Sequence, residues 1–340
     1  MAAQSQSLPP HAQLIQMALA YWGSQCVLVA AQLNLADRLR GGAMSAGDLA
    51  RELGLHSPSL YRYLRTLAGM GIVTESSAQT FALTPLGTAL KSDAPGSARA
   101  SILTLTGPPV SDAWNHLRDS LETGKTGIEK VCGKQLFEYL GEHPAKASLF
   151  SETMIGYHGA EPPAIAAAYD FDQFRSIVDL GGATGNLLVH ILRRHARPRG
   201  VLFDLPHVMA DARVFLEQHG FDKRVSVESG NFFESVPSGH DAYLLSHVIH
   251  DWDDGRSHGI LQNCRRAMGS KARLFIIEAV IPAGDVPHPA KMLDMMMLVG
   301  PGGQERTETE YATLLQRAGL RLTRVVPTNS GVGIIEAAPV

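Results

Sequence analysis

Apolar residues recur along the chain in two rhythms, and the change between them falls near Asp170. From His11 to Leu39 they sit at helical spacing (Leu14, Met17, Ala18, Tyr21, Trp22, Val27, Val29, Leu33, Leu35), covering more of the circumference than a lone surface helix presents. Such a helix needs a partner, either another part of the chain or a second copy. SAGDLARELGL and SPSLYRYLRTLAGMGIV then read as two short helices with serine N-caps at Ser45 and Ser57. VTESSAQTFALTPLG reads as a two-stranded wing turning near Ser76 and Ser77, which completes a winged-helix pattern. Residues 101–170 are helical again, with loops at Gly107-Pro108-Pro109, Gly124 to Gly127 and Glu142-His143-Pro144. Beyond Asp170, apolar runs alternate with helical stretches: SIVDL, RGVLFDLP, RVSVESGNF, DAYLLSHVI and KARLFIIEAV, then LRLTRVVPT and GVGIIEAA. Five strands with intervening helices and a closing antiparallel pair predict an α/β fold, a doubly wound and mostly parallel sheet. The chain thus divides into a mainly helical winged-helix domain (1–100), a helical linker segment (101–170) and an α/β domain (171–340).

Composition narrows the possibilities. With 45% hydrophobic and 19% charged residues, the 340-residue chain is globular and long enough for two domains. The net charge of −3 gives no reason to expect nucleic acid or an anionic membrane. A winged helix suggests DNA binding, but its second helix offers only Arg62 and Arg65, and residues 1–100 hold seven Lys/Arg against five Asp/Glu. Dimerisation or scaffolding suits that balance better. Cys26, Cys132 and Cys264 are widely spaced and odd in number, which fits neither a disulfide framework nor a zinc site. The start, MAAQSQSLPPHAQ, lacks the form of a secretory signal, and no uncharged apolar run is read as reaching the roughly 20 residues of a membrane helix. A cytoplasmic enzyme is expected.

Candidate chemistry centres on SIVDLGGATGNLLVHILRRH, Ser176 to His195: a strand, a glycine turn and a helix. The dinucleotide pattern G-x-G-x-x-G fails, because its third and sixth places are Ala183 and Asn186. Asp179 also puts negative charge where a pyrophosphate would disfavour it. A cationic ligand, such as the amino acid end of S-adenosylmethionine, suits it better. Asp204 ends the next strand, 25 residues on, where a carboxylate can accept hydrogen bonds from two ribose hydroxyls. Gly230-Asn231-Phe232-Phe233 follows the third strand and can frame an adenine, and SHVIHDWDD brings Ser246, His247, His250, Asp251 and Trp252 to the fourth strand end. Blander roles compete: Asp251 or Asp253 as a helix cap, Trp252 as core. His247-x-x-His250-Asp251 has metal-ligand spacing, but no third ligand cluster supports it, so no metal is expected. Phe150 and Met154 serve either as core or as one wall of a pocket for a flat aromatic substrate. Met292 and Met296, in LDMMML's neighbourhood, read the same way.

Taken together, VDLGGATG, LFDLP, GNFF, HDWDD and PGGQERTETEY resemble the S-adenosylmethionine-dependent O-methyltransferases of the plant caffeic-acid/flavonoid and bacterial polyketide/phenazine type. The order and spacing match over residues 10–340, with the winged-helix dimerisation domain in front of a Rossmann-like domain. The resemblance implies His250 as catalytic base, Glu305 as the carboxylate orienting it, and Glu336 as a second carboxylate. It further implies cofactor contacts at Asp179, Gly181, Gly182, Gly185, Asp204, Leu205, Gly230, Asn231, Phe232, Phe233 and Ser246. Substrate contacts are implied at Phe150, Met154, Trp252, Met292 and Met296. The family usually has aspartate at the Asn231 position, and plant members often have lysine at Ser246. The implied reaction is methylation of a phenolic hydroxyl on a small aromatic secondary metabolite by a homodimer, leaving S-adenosylhomocysteine. A histidine with a pKa of about 6.5 is mostly neutral at physiological pH and can take the proton of a phenol whose pKa is about 10. The competing readings are a C-methylating or non-methylating relative on the same scaffold and a winged-helix regulator.

Overall fold

The computed structural model describes residues 8–77 and 79–340. Residues 1–7, including most of the N-terminal stretch judged unlike a secretory signal, and Ala78 lie outside the described residues. The chain forms two compact units, one from residues up to 112 plus 140–159 and one from residues 113–139 plus 160–340. Segment 101–170 is thus shared between them.

In the first unit, Pro10 opens a 23-residue helix, Pro10–Gln32. Proline is tolerated there because its missing N–H would have no helical partner. This helix corrects the expectation about membrane-length runs: it contains no charged residue and is long and apolar enough to cross a bilayer. Leu14, Met17, Tyr21 and Trp22 are exposed on it, Met17 by 70% and Trp22 by 61%. The helix Ala46–Leu53 starts as expected, with Ser45 Oγ accepting the Asp48 N–H at 3.0 Å, and ends at Gly54 in the left-handed region. Ser57 is not a cap. It is the first residue of Ser57–Gly69, His56 is the N-cap, and no described side chain caps a backbone N–H of that turn. The wing is present as Val73–Ser77 against Thr80–Leu83, with Met44–Ser45 as a third strand. Ser76 and Ser77 belong to the first strand, and Gln79 takes the positive φ of the turn. Leu49, Leu60, Leu64, Leu67 and Phe81 form the core.

In the second unit, seven strands lie in the order Leu320–Pro327, Gly333–Pro339, Arg273–Glu278, Ala242–Ser246, Ser176–Leu180, Arg199–Asp204, Val225–Ser229. The last five in that order run parallel, and Gly333–Pro339 is antiparallel to both its neighbours. The near-continuous apolar runs follow from burial on both faces. With a side-chain period of two, Ile177, Leu202, Leu244, Phe275 and Ile277 enter the core on one face, and Val178, Leu180, Phe203, Tyr243, Leu245 and Ile276 the core on the other. The chain leaves Ser176–Leu180 for Arg199–Asp204 on one side and later returns to Ala242–Ser246 on the other. Open α/β sheets hold ligands beyond the carboxyl ends of strands at such a reversal. Leu180, Asp204, Ser246 and Glu278 end the strands there.

Candidate active site

The turn after Ser176–Leu180 has three residues at positive φ: Gly181, Ala183 and Gly185. Gly182 has no room for a side chain, since a Cβ would lie 2.6 Å from the Asp179 carboxyl and 2.5 Å from Leu202. Asp179 is 1% exposed, and neither of its carboxylate oxygens has a hydrogen-bond partner among the described residues. Burial, with the nearby Asp204 charge, pushes its pKa up to about 7. A buried carboxylate without donors is costly, and a bound cation would offset that cost. Asp204 is differently placed. One oxygen accepts the Ala183 N–H at 2.9 Å and the other the Leu205 N–H at 2.7 Å, which fixes both beside the turn. Gly230 packs edge-on to Phe203, whose ring would meet a Cβ at 2.5 Å.

Asn231, where the family usually has aspartate, is engaged within its own turn. Its Oδ1 accepts the Phe233 N–H at 3.0 Å and its amide donates to Glu234 at 3.1 Å. Phe232 packs on the Gly181 side of the turn, and the rings of Phe232, Phe233, Trp252 and Phe137 follow one another at 4.9, 4.9 and 5.6 Å. Trp252 also carries Arg256 at 5.3 Å from its ring centroid.

Beyond Ser246 the chain enters a tight turn, with His247 at φ 53 and a short 3-10 helix at Ile249–Asp251. His250 is 6% exposed. Its Nδ1–H donates to Glu305 Oε1 at 2.7 Å, and its Nε2 lies 3.7 Å from Asp251 Oδ1. The Glu305 backbone N–H is tied to Asp294 at 2.9 Å, and Glu305 Oε2 is buried with no hydrogen-bond partner among the described residues. Arg306, 1% exposed, clamps the two loops: it donates to the carbonyls of Ile249 and Trp252 and pairs with Asp254 at 2.9 Å. Gly303 lies against the His250 carbonyl so closely that a Cβ would sit 1.8 Å from it.

The second carboxylate beside His250 is not Glu336. Glu336 accepts from Arg324 at 2.7 Å and Tyr169 at 3.1 Å and pairs with Arg273. It lies across from Phe275, three residues or about 10 Å before the carboxyl end of that strand. Glu278 occupies the position instead. Its Oε1 accepts the backbone N–H groups of Val248 and His250 at 3.1 and 3.0 Å. Glu278 carries the same sequence signal as Asp179 and Asp204, a lone acid at the end of an apolar strand, but lies outside the matching motifs.

Charge around the imidazole alters its expected state. Burial alone would lower the His250 pKa, but the hydrogen bond to Glu305 and the charges of Glu278 and Asp251 outweigh it, pushing the pKa up to about 10. Without ligand His250 therefore holds its proton at neutral pH, against the sequence expectation of a neutral ring. Burial raises the Glu305 pKa, and the hydrogen bond and charge of His250 oppose that rise.

Met292 is exposed and Met296 half-buried, one turn apart on Pro289–Val299. Phe150 and Met154 are half-buried, one turn apart on Pro144–Tyr157 in the first unit.

An O-methyltransferase domain family matches residues 114–321, and an O-methyltransferase dimerisation domain family matches residues 15–93. The chain belongs to the S-adenosylmethionine-dependent O-methyltransferases. Phenazine O-methyltransferase PhzM of Lysobacter antibioticus is 41% identical to this methyltransferase over 334 residues, 98% of each chain. Phenazine-1-carboxylate N-methyltransferase of Pseudomonas aeruginosa is 33% identical over 330 residues, 96% of each. The structure of an O-methyltransferase from neocarzinostatin biosynthesis, in complex with S-adenosylmethionine and 2-hydroxy-5-methyl naphthoic acid, matches with a TM-score of 0.82 at 32% identity, covering 94% of this chain and 96% of that one. The methyltransferase uses S-adenosylmethionine and is of the secondary-metabolite type.

Proposed function

We propose that this methyltransferase methylates a phenolic hydroxyl of a small aromatic substrate, with His250 as the base. The His250 to Glu305 hydrogen bond carries the reading, because a buried imidazole backed by a carboxylate on Nδ1 leaves Nε2 to accept a proton. Transfer to nitrogen, as named for the Pseudomonas relative, is the second reading, since a neutral amine needs no base before it attacks.

Asp179 is the partner for the cofactor's ammonium group, since it is a buried acid without a donor. Asp204, anchored by one N–H on each oxygen, keeps lone pairs for the ribose hydroxyls. Gly181, Gly182, Gly185 and Gly230 allow close approach, and Leu205, Phe232, Phe233 and Ser246 complete the cofactor contacts. Asn231 holds the turn that presents those rings. Trp252, Met292 and Met296 are proposed acceptor contacts. Bound S-adenosylmethionine supplies an already activated, electrophilic methyl group. With that cation bound, His250 would lie nearer its neutral state, since a nearby positive charge disfavours the imidazolium. His250 Nε2 then takes the acceptor proton, Glu305 stabilises the resulting imidazolium, and Glu278 holds the turn.

Methyl-labelled cofactor incubated with a panel of hydroxy-aromatics tests the proposal. Label is expected in the aromatic product, whereas label left on the cofactor would exclude methyl transfer. Cytoplasmic location and homodimerisation belong to the same proposal. The exposed Leu14, Met17, Tyr21 and Trp22 lie in or beside the matched dimerisation segment and would be covered by a second copy. Sedimentation at roughly micromolar concentration should give twice the chain mass, and a monomer there would defeat that part.

A further inference from the structure

Tyr311 is 0% exposed and lies in the helix Glu308–Arg317, directly after the segment bearing Glu305 and Arg306. A capping box between Thr307 and Glu310 fixes the first turn of that helix, and Tyr311 is the next residue. Its hydroxyl donates to Glu278 Oε2 at 2.5 Å. The other oxygen of Glu278 accepts the backbone N–H groups of Val248 and His250. Glu278 is itself 0% exposed, so these three donors replace water around its charge, and Tyr311 is the one side chain among them. One short stretch therefore reaches His250 twice, directly through Glu305 and indirectly through Tyr311 and Glu278.

We propose that Tyr311 is a positioning residue of the methyl-transfer reaction, its hydroxyl holding Glu278 and, through it, the turn that carries His250. The proposal rests on His250 acting as the base. Burial beside Glu278 and Glu305 raises the Tyr311 pKa far above its ordinary value, so the phenol stays a proton donor throughout the working range. The charged and titratable groups facing His250 are Glu305, Glu278 and Asp251, with the His247 ring 5.2 Å away. Arg306 and Glu305 also act on Tyr311, and Asp294 on Glu305. Removing the hydroxyl leaves a buried carboxylate oxygen without its donor, so Glu278 is no longer held against the turn that carries His250. Displacing that carboxylate weakens the hold on the His250 proton.

Tyr311→Phe keeps the ring and removes the hydroxyl. In this variant the rising limb of kcat against pH should move about one unit toward acid, while the plateau falls about tenfold. Affinity for S-adenosylhomocysteine should stay unchanged. Glu278→Gln should move the limb the same way, and adding Tyr311→Phe to it should produce little further displacement. A limb that stays in place overturns the proposal, whether the plateau is retained or falls together with the melting temperature. A further acidward displacement of similar size in the Glu278→Gln background would also overturn it, since Tyr311 would then act by another route. His250→Gln, measured alongside, separates the two readings. If it retains full turnover, the base assignment itself has failed.

Discussion

His250→Gln is expected to lower kcat for a hydroxy-aromatic acceptor by about a hundredfold to ten-thousandfold, the usual contribution of a positioned general base. Affinity for S-adenosylmethionine should be unchanged. The substitution is close in size, and the Arg306 clamp holds the loops through the carbonyls of Ile249 and Trp252 and through Asp254 rather than through the imidazole, so those loops should persist. What disappears is a group that can take and hold a proton. The pH dependence follows from the direction of the His250 shift. The surrounding carboxylates raise its pKa to about 10, and only the deprotonated ring accepts the acceptor's proton. In the wild-type protein kcat should therefore rise with pH into the alkaline range. The cofactor's positive charge favours the neutral ring, so the midpoint in the complex should lie below that of the ligand-free protein. His250→Gln should flatten the limb. Stopped assays across pH, together with direct titration of cofactor binding, check both parts. A variant with full kcat and an unchanged limb would remove His250 from the chemistry.

Asp179→Asn is expected to weaken S-adenosylhomocysteine binding by about a hundredfold or more, since it leaves the ligand's ammonium without its buried counter-charge. Calorimetric titration reads this directly. The wild-type protein should also show a pH dependence of a definite sign. Burial and Asp204 raise the Asp179 pKa to about 7, and the ionised form is the one that pairs with an ammonium. Affinity should thus fall as pH drops through about 7, while the asparagine variant stays flat over the same range. Equal affinity of the two proteins at about pH 8, where the wild-type carboxylate is ionised, would place the ammonium elsewhere.

Much of the fold was legible because it rests on local rules. The apolar runs after Asp170 are strands because both faces of the sheet are buried, and the glycine turn is where Gly182 can have no side chain. His250 and Glu305 could be named from motif order, and the structure brings them to 2.7 Å. Glu336 and Glu278 mark where this kind of reading stops. Each is a lone acid in an apolar strand, and only the pairing of Glu336 with Phe275, and of Gly333 with Glu278, separates the acid at the strand end from the one beside Arg324. Register is a tertiary property. The protonation of His250 was hidden for a related reason, since Glu278 and Glu305, 28 and 55 residues further on, join the adjacent Asp251 around one ring. Ser57 met every local condition for a cap, yet the helix begins on it and His56 takes that place. In the Pro10–Gln32 helix, glutamines and serine among the apolar residues disguised a stretch with no charge at all.

Methyl transfer from isotope-labelled S-adenosylmethionine to an aromatic bearing both a hydroxyl and an amino group, with the product resolved by NMR, puts oxygen, nitrogen and His250 into one measurement. Label on oxygen with the wild-type protein, and almost none with His250→Gln, is the expected result. Label on nitrogen, formed equally well by both proteins, would contradict it.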